Sequence, residues 1–233
     1  MNSVVRFGCV AIVPAGGSGA RLGAAVPKQY LEIAGHSVLH HTLTALSAVS
    51  AIEHIYVAVQ ADDERAVSIC ESFTRVTMLP TAGRLRAETV SNTLQAIHKK
   101  ISRDAWILVH DAARPCVSQA AIDRLIQTCV AHPVGGLLAL PVADTMKRSN
   151  ASDEVVETLS RDQLWRAQTP QMFRFEMLQH ALSAAPDATD ESQAIEAIGL
   201  SPKLVLGEAR NLKITYPEDI ALASHFLQQT PST

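Results

Sequence analysis

Short unbroken apolar blocks alternate along the chain with longer segments in which apolar residues recur at every third or fourth position. The blocks at 9–14, 54–60, 76–79, 106–110 and 136–142 have strand length, and the segments at 37–49, 62–72, 87–101 and 119–131 have helical period. Runs such as CVAIV, WILV and LLAL carry no polar position. A strand that is apolar on both of its faces belongs in a sheet covered on both sides, so the pattern predicts an α/β fold with three layers and a mostly parallel sheet.

Between 143 and 173 the pattern breaks into polar residues, short β-like pieces such as 155–159, and a proline turn. Nothing in this stretch promises burial against the main sheet, so it is expected to protrude as an arm. An isolated hairpin is marginal in water, which makes packing on a second subunit the expected use of such an arm; a plain surface loop is the alternative. Helices at 175–184 and 190–198, a strand at 203–206 and a closing helix from Pro217 complete the chain. Pro217 suits a first helical position, and Glu218 and Asp219 favour the positive end of the helix.

Composition narrows the classes. At 233 residues, 47% hydrophobic and 18% charged, the chain is expected to form a single domain over 1–233. A net charge of −3 argues against tracking a nucleic-acid backbone, so any phosphate ligand must be met locally. Cys9, Cys70, Cys116 and Cys129 have neither CxxC spacing nor the density of a disulfide framework, which fits a reduced, cytoplasmic setting. The N-terminal run carries Arg6 and glycine interruptions, unlike a signal peptide, and no later run has membrane-spanning length.

The candidate chemistry begins directly after the first strand, in PAGGSGARLGAAVPKQ. Gly16, Gly17 and Gly19 allow backbone N–H groups to close around an anion without obstruction by a Cβ. The loop lacks the Gly-Lys-Ser/Thr ending of a Walker A motif, and Leu22 stands where the dinucleotide fingerprint needs its third glycine. Arg21 and Lys28 are two cations suited to flank a concentrated charge such as a triphosphate. A tight strand-to-helix turn with solvated cations accounts for the same residues.

The strand, AGGSGARLG and PKQYLEIAG in succession resemble the sugar-nucleotide pyrophosphorylase superfamily. VHDAARPCV (109–117), PVADTMKR (141–148), LWRAQTPQMF (164–173), TDES (189–192) and NLKITYPEDIALA (211–223) resemble, in order, the methylerythritol-phosphate cytidylyltransferases. The resemblance implies a Rossmann-like α/β fold whose arm is used in dimerisation. The activity it implies joins CTP to 2-C-methyl-D-erythritol 4-phosphate and releases pyrophosphate, with Mg2+ bound mainly through the CTP phosphates.

The resemblance places Ala15, Gly16, Gly17 and Gly19 along the nucleotide, with Arg21, Lys28 and Lys213 on its phosphates. Gly83, Arg86 and Thr89 fall where the family reads the cytosine, and Asp111 and Ala112 where it meets the ribose. Arg114, Thr145, Arg161, Thr169 and Thr189 match positions that hold the methylerythritol phosphate, with Thr145 and Arg161 supplied from the partner subunit's arm. Arg21, Lys28, Arg161 and Lys213 are the residues expected to carry the reaction. One departure concerns the base pocket: members often carry an acidic residue in a GxERxxSV-like stretch, where this chain has Arg84 and Leu85 in AGRLRAETV.

Other candidates have plainer readings. His110 is expected to pack or orient rather than catalyse, and the His40–His41 pair lacks further ligand spacing. Asp190 and Glu191 most simply charge the start of a helix. Two rival functions share the glycine loop: a ribitol 5-phosphate cytidylyltransferase, whose relatives tend to read HDxVRP against HDAARP here, and a catalytically silent nucleotide-binding regulator.

Overall fold

The computed structural model describes residues 8–17 and 26–229. Gly19 and Arg21 lie outside the described residues.

The first half of the chain runs β1 (Cys9–Pro14), a 3-10 turn (Lys28–Tyr30), a small hairpin of β2 (Glu32–Ile33) and β3 (His36–Ser37), then α1 (Val38–Ser47), β4 (Ile52–Ala58), α2 (Arg65–Glu71), β5 (Val76–Leu79), α3 (Arg86–Ile97), β6 (Trp106–Val109) and α4 (Gln119–Val130). The second half runs β7 (Gly135–Pro141), β8 (Met146–Ser149), β9 (Val155–Leu159), β10 (Trp165–Arg174), α5 (Phe175–Ala184), α6 (Glu191–Ala197), β11 (Lys203–Leu206) and α7 (Glu218–Gln228). Ser37, Ser118 and Asp190 cap α1, α4 and α6 by accepting the N–H of His40, Ala121 and Gln193, which answers the unpaired donors of each first turn.

Seven strands form one sheet in the order β11-β7-β10-β6-β1-β4-β5. The two-residue period of the strands divides the core. Cys9, Ala11 and Val13 of β1 join Leu108 and Val57 in packing against Leu39 and Leu43 of α1 and Ile122 and Leu125 of α4. Val10 and Ile12 face the other way, with Ile107, toward Val90 and Leu94 of α3 and Leu178 of α5. Both faces are buried, and that is why these strands carry no polar position.

All neighbouring strands are parallel except at β10, which runs antiparallel between β6 and β7. This corrects the expectation that all of 143–173 protrudes. Met172 and Phe173 are fully buried inside the sheet, while Gln168, Thr169 and Gln171 are buried polar residues with hydrogen-bond partners. The polar residues and Pro170 of LWRAQTPQMF disguised a central strand, because their needs are met by distant segments that local patterning does not register. The protruding part is the β8–β9 hairpin and its flanks, exposed over most of 143–164. Among the described residues no helix is long and apolar enough to cross a membrane.

The chain passes from β1 outward through β4 to β5 and then crosses back to place β6 on β1's other side. The loops leaving β1 and β6 therefore diverge at their C-terminal ends, the place where open α/β sheets hold ligands.

Candidate active site

A cleft of about 600 Å³ opens at that divergence. It is lined by residues 14–17 after β1, residues 83–86 and Thr89 at the start of α3, Asp111 to Ala113 after β6, Lys28, and Lys213 with Thr215 from the loop before α7. Segments far apart in sequence thus supply one concave surface.

The glycine loop is held from behind by two glutamines. Gln29, buried in the 3-10 turn, donates Nε2 to the Ala15 and Gly17 carbonyls at 2.7 and 3.1 Å. Gln60 donates to the Gly16 carbonyl at 3.1 Å. In a trans peptide the N–H points opposite the C=O, so fixing the Ala15 and Gly16 carbonyls this way turns the Gly16 and Gly17 N–H groups in the opposite direction. Gly16 is required for a second reason: a Cβ there would stand 2.3 Å from the Ala82 Cβ, whereas one at Gly17 meets nothing within 4 Å. Gln29 lies within the PKQYLEIAG motif without a role assigned to it, and Gln60 lies in no motif.

Lys28 donates from Nζ to the Ile214 carbonyl at 3.1 Å. The segment around Lys213 is itself fastened down. Ile214 donates its N–H to the Ala113 carbonyl at 2.9 Å, Asn211 donates to the Thr169 carbonyl at 2.8 Å, and Arg114 donates to the Asn211 carbonyl at 2.7 Å. Lys28 and Lys213 consequently line the same cleft.

Asp111 is the electrostatic centre. Arg86 Nε lies 3.0 Å from its Oδ1, and Lys213 Nζ and Arg114 Nε lie 2.9 and 3.4 Å from its Oδ2. Burial alone raises this carboxyl, but the charges of Arg86, Lys213 and Arg114 outweigh burial and hold it well below the usual carboxylate range. Its N–H donates to Thr169 Oγ1 at 3.0 Å. His110 beside it is wholly buried, and burial lowers its imidazole to about 4. With Nε2 3.1 Å from the Arg114 carbonyl, that nitrogen carries the proton, and Nδ1 accepts from Thr169 Oγ1 at 3.0 Å. His110 is therefore a neutral strut, in accord with the orienting role expected of it.

At the start of α3, Thr89 accepts the Gly83 N–H at 2.9 Å and donates to the Leu85 carbonyl at 3.0 Å. Glu88 accepts the Arg84 N–H at 2.7 Å. Arg84 and Leu85, the departure from the family pattern, both line the cleft, and Leu85 is half exposed there.

The residues given to the second substrate are dispersed. Arg114 and Thr169 are buried against Asp111. Thr189 is exposed and donates to Gln193 Oε1 at 3.0 Å. Thr145 and Arg161 are exposed on the arm, where Arg161 donates to the Ala143 carbonyl, and neither lines this chain's own cleft.

Among the described lining residues Asp111 is the one carboxylate, and both of its oxygens are paired with cations. Among the described residues no group of three His, Cys, Asp or Glu side chains suits a metal ion. The described donor set therefore does not fit a protein-held metal. The four cysteines are free and buried, and burial pushes the Cys9 and Cys129 thiols up to about 12, far from reactive thiolates.

Comparison with known proteins gives a consistent result. The sequence model of IspD, the 2-C-methyl-D-erythritol 4-phosphate cytidylyltransferase family, matches residues 9–229. The chain is 50% identical over 220 residues to 2-C-methyl-D-erythritol 4-phosphate cytidylyltransferase of Dechloromonas aromatica, covering 94% of this chain and 96% of that one. It is 46% identical to the Azoarcus sp. protein of the same name, covering 93% of each. Among solved structures, a 4-diphosphocytidyl-2C-methyl-D-erythritol synthase superposes with TM-score 0.85 at 37% identity over 94% of this chain and 98% of that one. The Francisella tularensis 2-C-methyl-D-erythritol 4-phosphate cytidylyltransferase gives 0.81 at 31% identity over 94% and 99%.

Proposed function

Because this chain belongs to the 2-C-methyl-D-erythritol 4-phosphate cytidylyltransferase family, we propose that the cleft beside β1 and β6 is where it transfers the cytidylyl group of CTP to 2-C-methyl-D-erythritol 4-phosphate and releases pyrophosphate. It is a nucleotidyltransferase of isoprenoid precursor synthesis. The observation that carries the site assignment is the meeting of Lys28 and Lys213, from opposite ends of the chain, on one cleft beside a glycine loop.

The nucleophile is a phosphate monoester whose second pKa is about 6, so at neutral pH it is already largely dianionic and needs no general base. A buried histidine held near 4 and absent from the cleft lining is compatible with that chemistry. The barrier is repulsion between two polyanions, about 4 kcal/mol for each pair of charges at 4 Å and an effective dielectric of 20. Lys28, Lys213 and Arg21 offset it at the triphosphate and stabilise charge as pyrophosphate leaves. The N–H groups of Gly16 and Gly17, with Gly19 and Ala15, cradle the phosphates.

Gly83, Arg86 and Thr89 read the base, and Asp111 with Ala112 holds the ribose. Mg2+ carried on the CTP phosphates would supply charge neutralisation there; among its described residues the cleft offers no unpaired carboxylate to hold it.

The second substrate is held by Arg114, Thr169 and Thr189 of one subunit with Thr145 and Arg161 from the arm of the other, in a homodimer. The arm supports this with apolar side chains set in water: Val155 and Val156 are 63% and 62% exposed, and Met146, Leu164 and Trp165 on the arm and its flank are exposed as well. Arg161 orients the incoming phosphate.

The test is product formation from CTP with each sugar phosphate in turn. Efficient turnover of the methylerythritol phosphate and little of ribitol 5-phosphate is expected. The reverse preference would transfer the site to the rival substrate, and no turnover of either would indicate a silent nucleotide binder.

A further inference from the structure

Glu191 is acidic, occupies the first turn of α6 and is completely buried; burial pushes its carboxyl up, against the opposing pull of Arg86. A carboxylate at that position ordinarily stays in water beside the positive helix end. Here it points inward, with Oε1 2.7 Å from Arg86 Nη1. Its neighbours are clamped from β10: Gln171 donates Nε2 to Asp190 Oδ2 at 2.9 Å and accepts the Ser192 N–H at 2.7 Å. The residues on both sides of Glu191 are thus fixed, and its side chain is presented to one guanidinium.

Arg86 in turn bridges two carboxylates on different segments, Asp111 through Nε and Glu191 through Nη1. A guanidinium held at one point pivots; held at two edges by separate elements, its plane is set. A lone Asp111 would favour the side-by-side, two-bond pairing that arginine and carboxylate usually adopt. Glu191 draws the fork away from that pose. Arg86 Nη2 and Glu191 Oε2 are both buried without a hydrogen-bond partner, while the rest of the Arg86 side chain, 22% exposed, lines the cleft.

We infer that Glu191 is a positioning residue for the nucleotide: from behind the cleft it holds Arg86 in the bridging pose, keeping Asp111 available to Lys213 and the exposed part of the Arg86 side chain turned to the cleft that takes the base. This rests on the reading of Arg86 as a base contact. It also accounts for a carboxylate buried against a cluster that otherwise sets Arg86, Arg114 and Lys213 around Asp111 alone.

The experiment measures CTP binding by calorimetry on the intact protein, and KM and kcat for each substrate, in Glu191→Gln, Arg86→Ala and the double variant. Glu191→Gln is expected to weaken CTP binding roughly 10- to 100-fold, the range for a lost charged hydrogen bond. It should also erode the preference for CTP over UTP and leave KM for the sugar phosphate unchanged. Because Glu191 acts through Arg86, the double variant should bind CTP no worse than Arg86→Ala alone. Should Glu191→Gln not fold, Glu191→Asp, which keeps the charge and withdraws it by one methylene, is expected to show the same CTP-only defect in weaker form.

Wild-type CTP affinity and CTP/UTP preference in whichever variant folds, additive losses in the double variant, or equal defects toward both substrates would each overturn the inference. A normal Glu191→Gln beside a defective Arg86→Ala removes this inference alone. An Arg86→Ala protein with unchanged CTP affinity removes the base-contact reading as well.

Discussion

Lys28 Nζ donates to the backbone carbonyl of Ile214 at 3.1 Å, so the cation that follows the glycine loop is fastened to the segment presenting Lys213. That bond holds the ammonium group on the cleft lining, beside the anion site the glycine loop would form. Lys28→Ala should lower kcat about 10²- to 10³-fold, the usual effect of removing one transition-state donor. Steady-state turnover checks it, and a folded variant with near-normal kcat would remove Lys28 from the reaction.

Gly16 and Gly17 differ in what surrounds them, and their alanine variants should differ accordingly. The Cβ of Gly16→Ala would collide with Ala82 and displace the loop, whereas Gly17→Ala meets open space. A displacement of about 1 Å can cost roughly 100-fold in rate, so kcat/KM for CTP should fall by about that factor in Gly16→Ala and much less in Gly17→Ala. Equal defects would show that the loop's backbone, not its closeness to Ala82, decides.

Arg161 stands on the exposed arm, away from the lining of its own cleft. Arg161→Ala should raise KM for the sugar phosphate and leave CTP affinity unchanged. Mixing Lys28→Ala with Arg161→Ala subunits should restore part of the activity, since some sites then receive both wild-type residues. Mixed dimers that form, as shown by native mass spectrometry, yet stay inactive would exclude a shared site.

Asp111 holds three cations in a largely dry position. Asp111→Asn keeps the shape and removes the charge, and it should destabilise the protein by about 3 kcal/mol, the scale of a broken buried ion pair. Urea unfolding at pH 7 reads this directly; a loss under about 0.5 kcal/mol would place the cluster among weakly contributing surface pairs.

His110 gives the fold a pH dependence of definite sign. Its folded pKa, near 4, lies below the ordinary 6.5, so on acidification the unfolded chain takes up its proton first. The stability it contributes is complete above pH 6.5, declines through the interval and is lost near 4, amounting to about 3 kcal/mol. Asp111 is depressed from the carboxylate range and acts in the same direction only at still lower pH. Unfolding free energy measured between pH 7 and 4 should fall, and His110→Asn, less stable at pH 7, should show a flatter profile. An unchanged slope in that variant would refute the assignment.

Periodicity along the chain determined the layers. Unbroken apolar strands and helix-period segments were enough to expect a covered, mostly parallel sheet, because burial on one face or two is written directly into residue order. The glycine loop and Lys28 were legible for a similar local reason, and collinear motifs carried the expectation to Lys213, Arg86 and Asp111. Tertiary structure decided what depends on distant partners. The strand Trp165–Arg174 looked like part of an arm because Gln168, Thr169 and Gln171 are satisfied by Glu208, His110 and Asp190, none of them near in sequence. Glu191 read as a helix-start charge until Arg86 was found against it. A one-dimensional pattern records which side chains prefer water; it does not record which buried charge will meet which, since that pairing exists only once the sheet has brought the ends of the chain together.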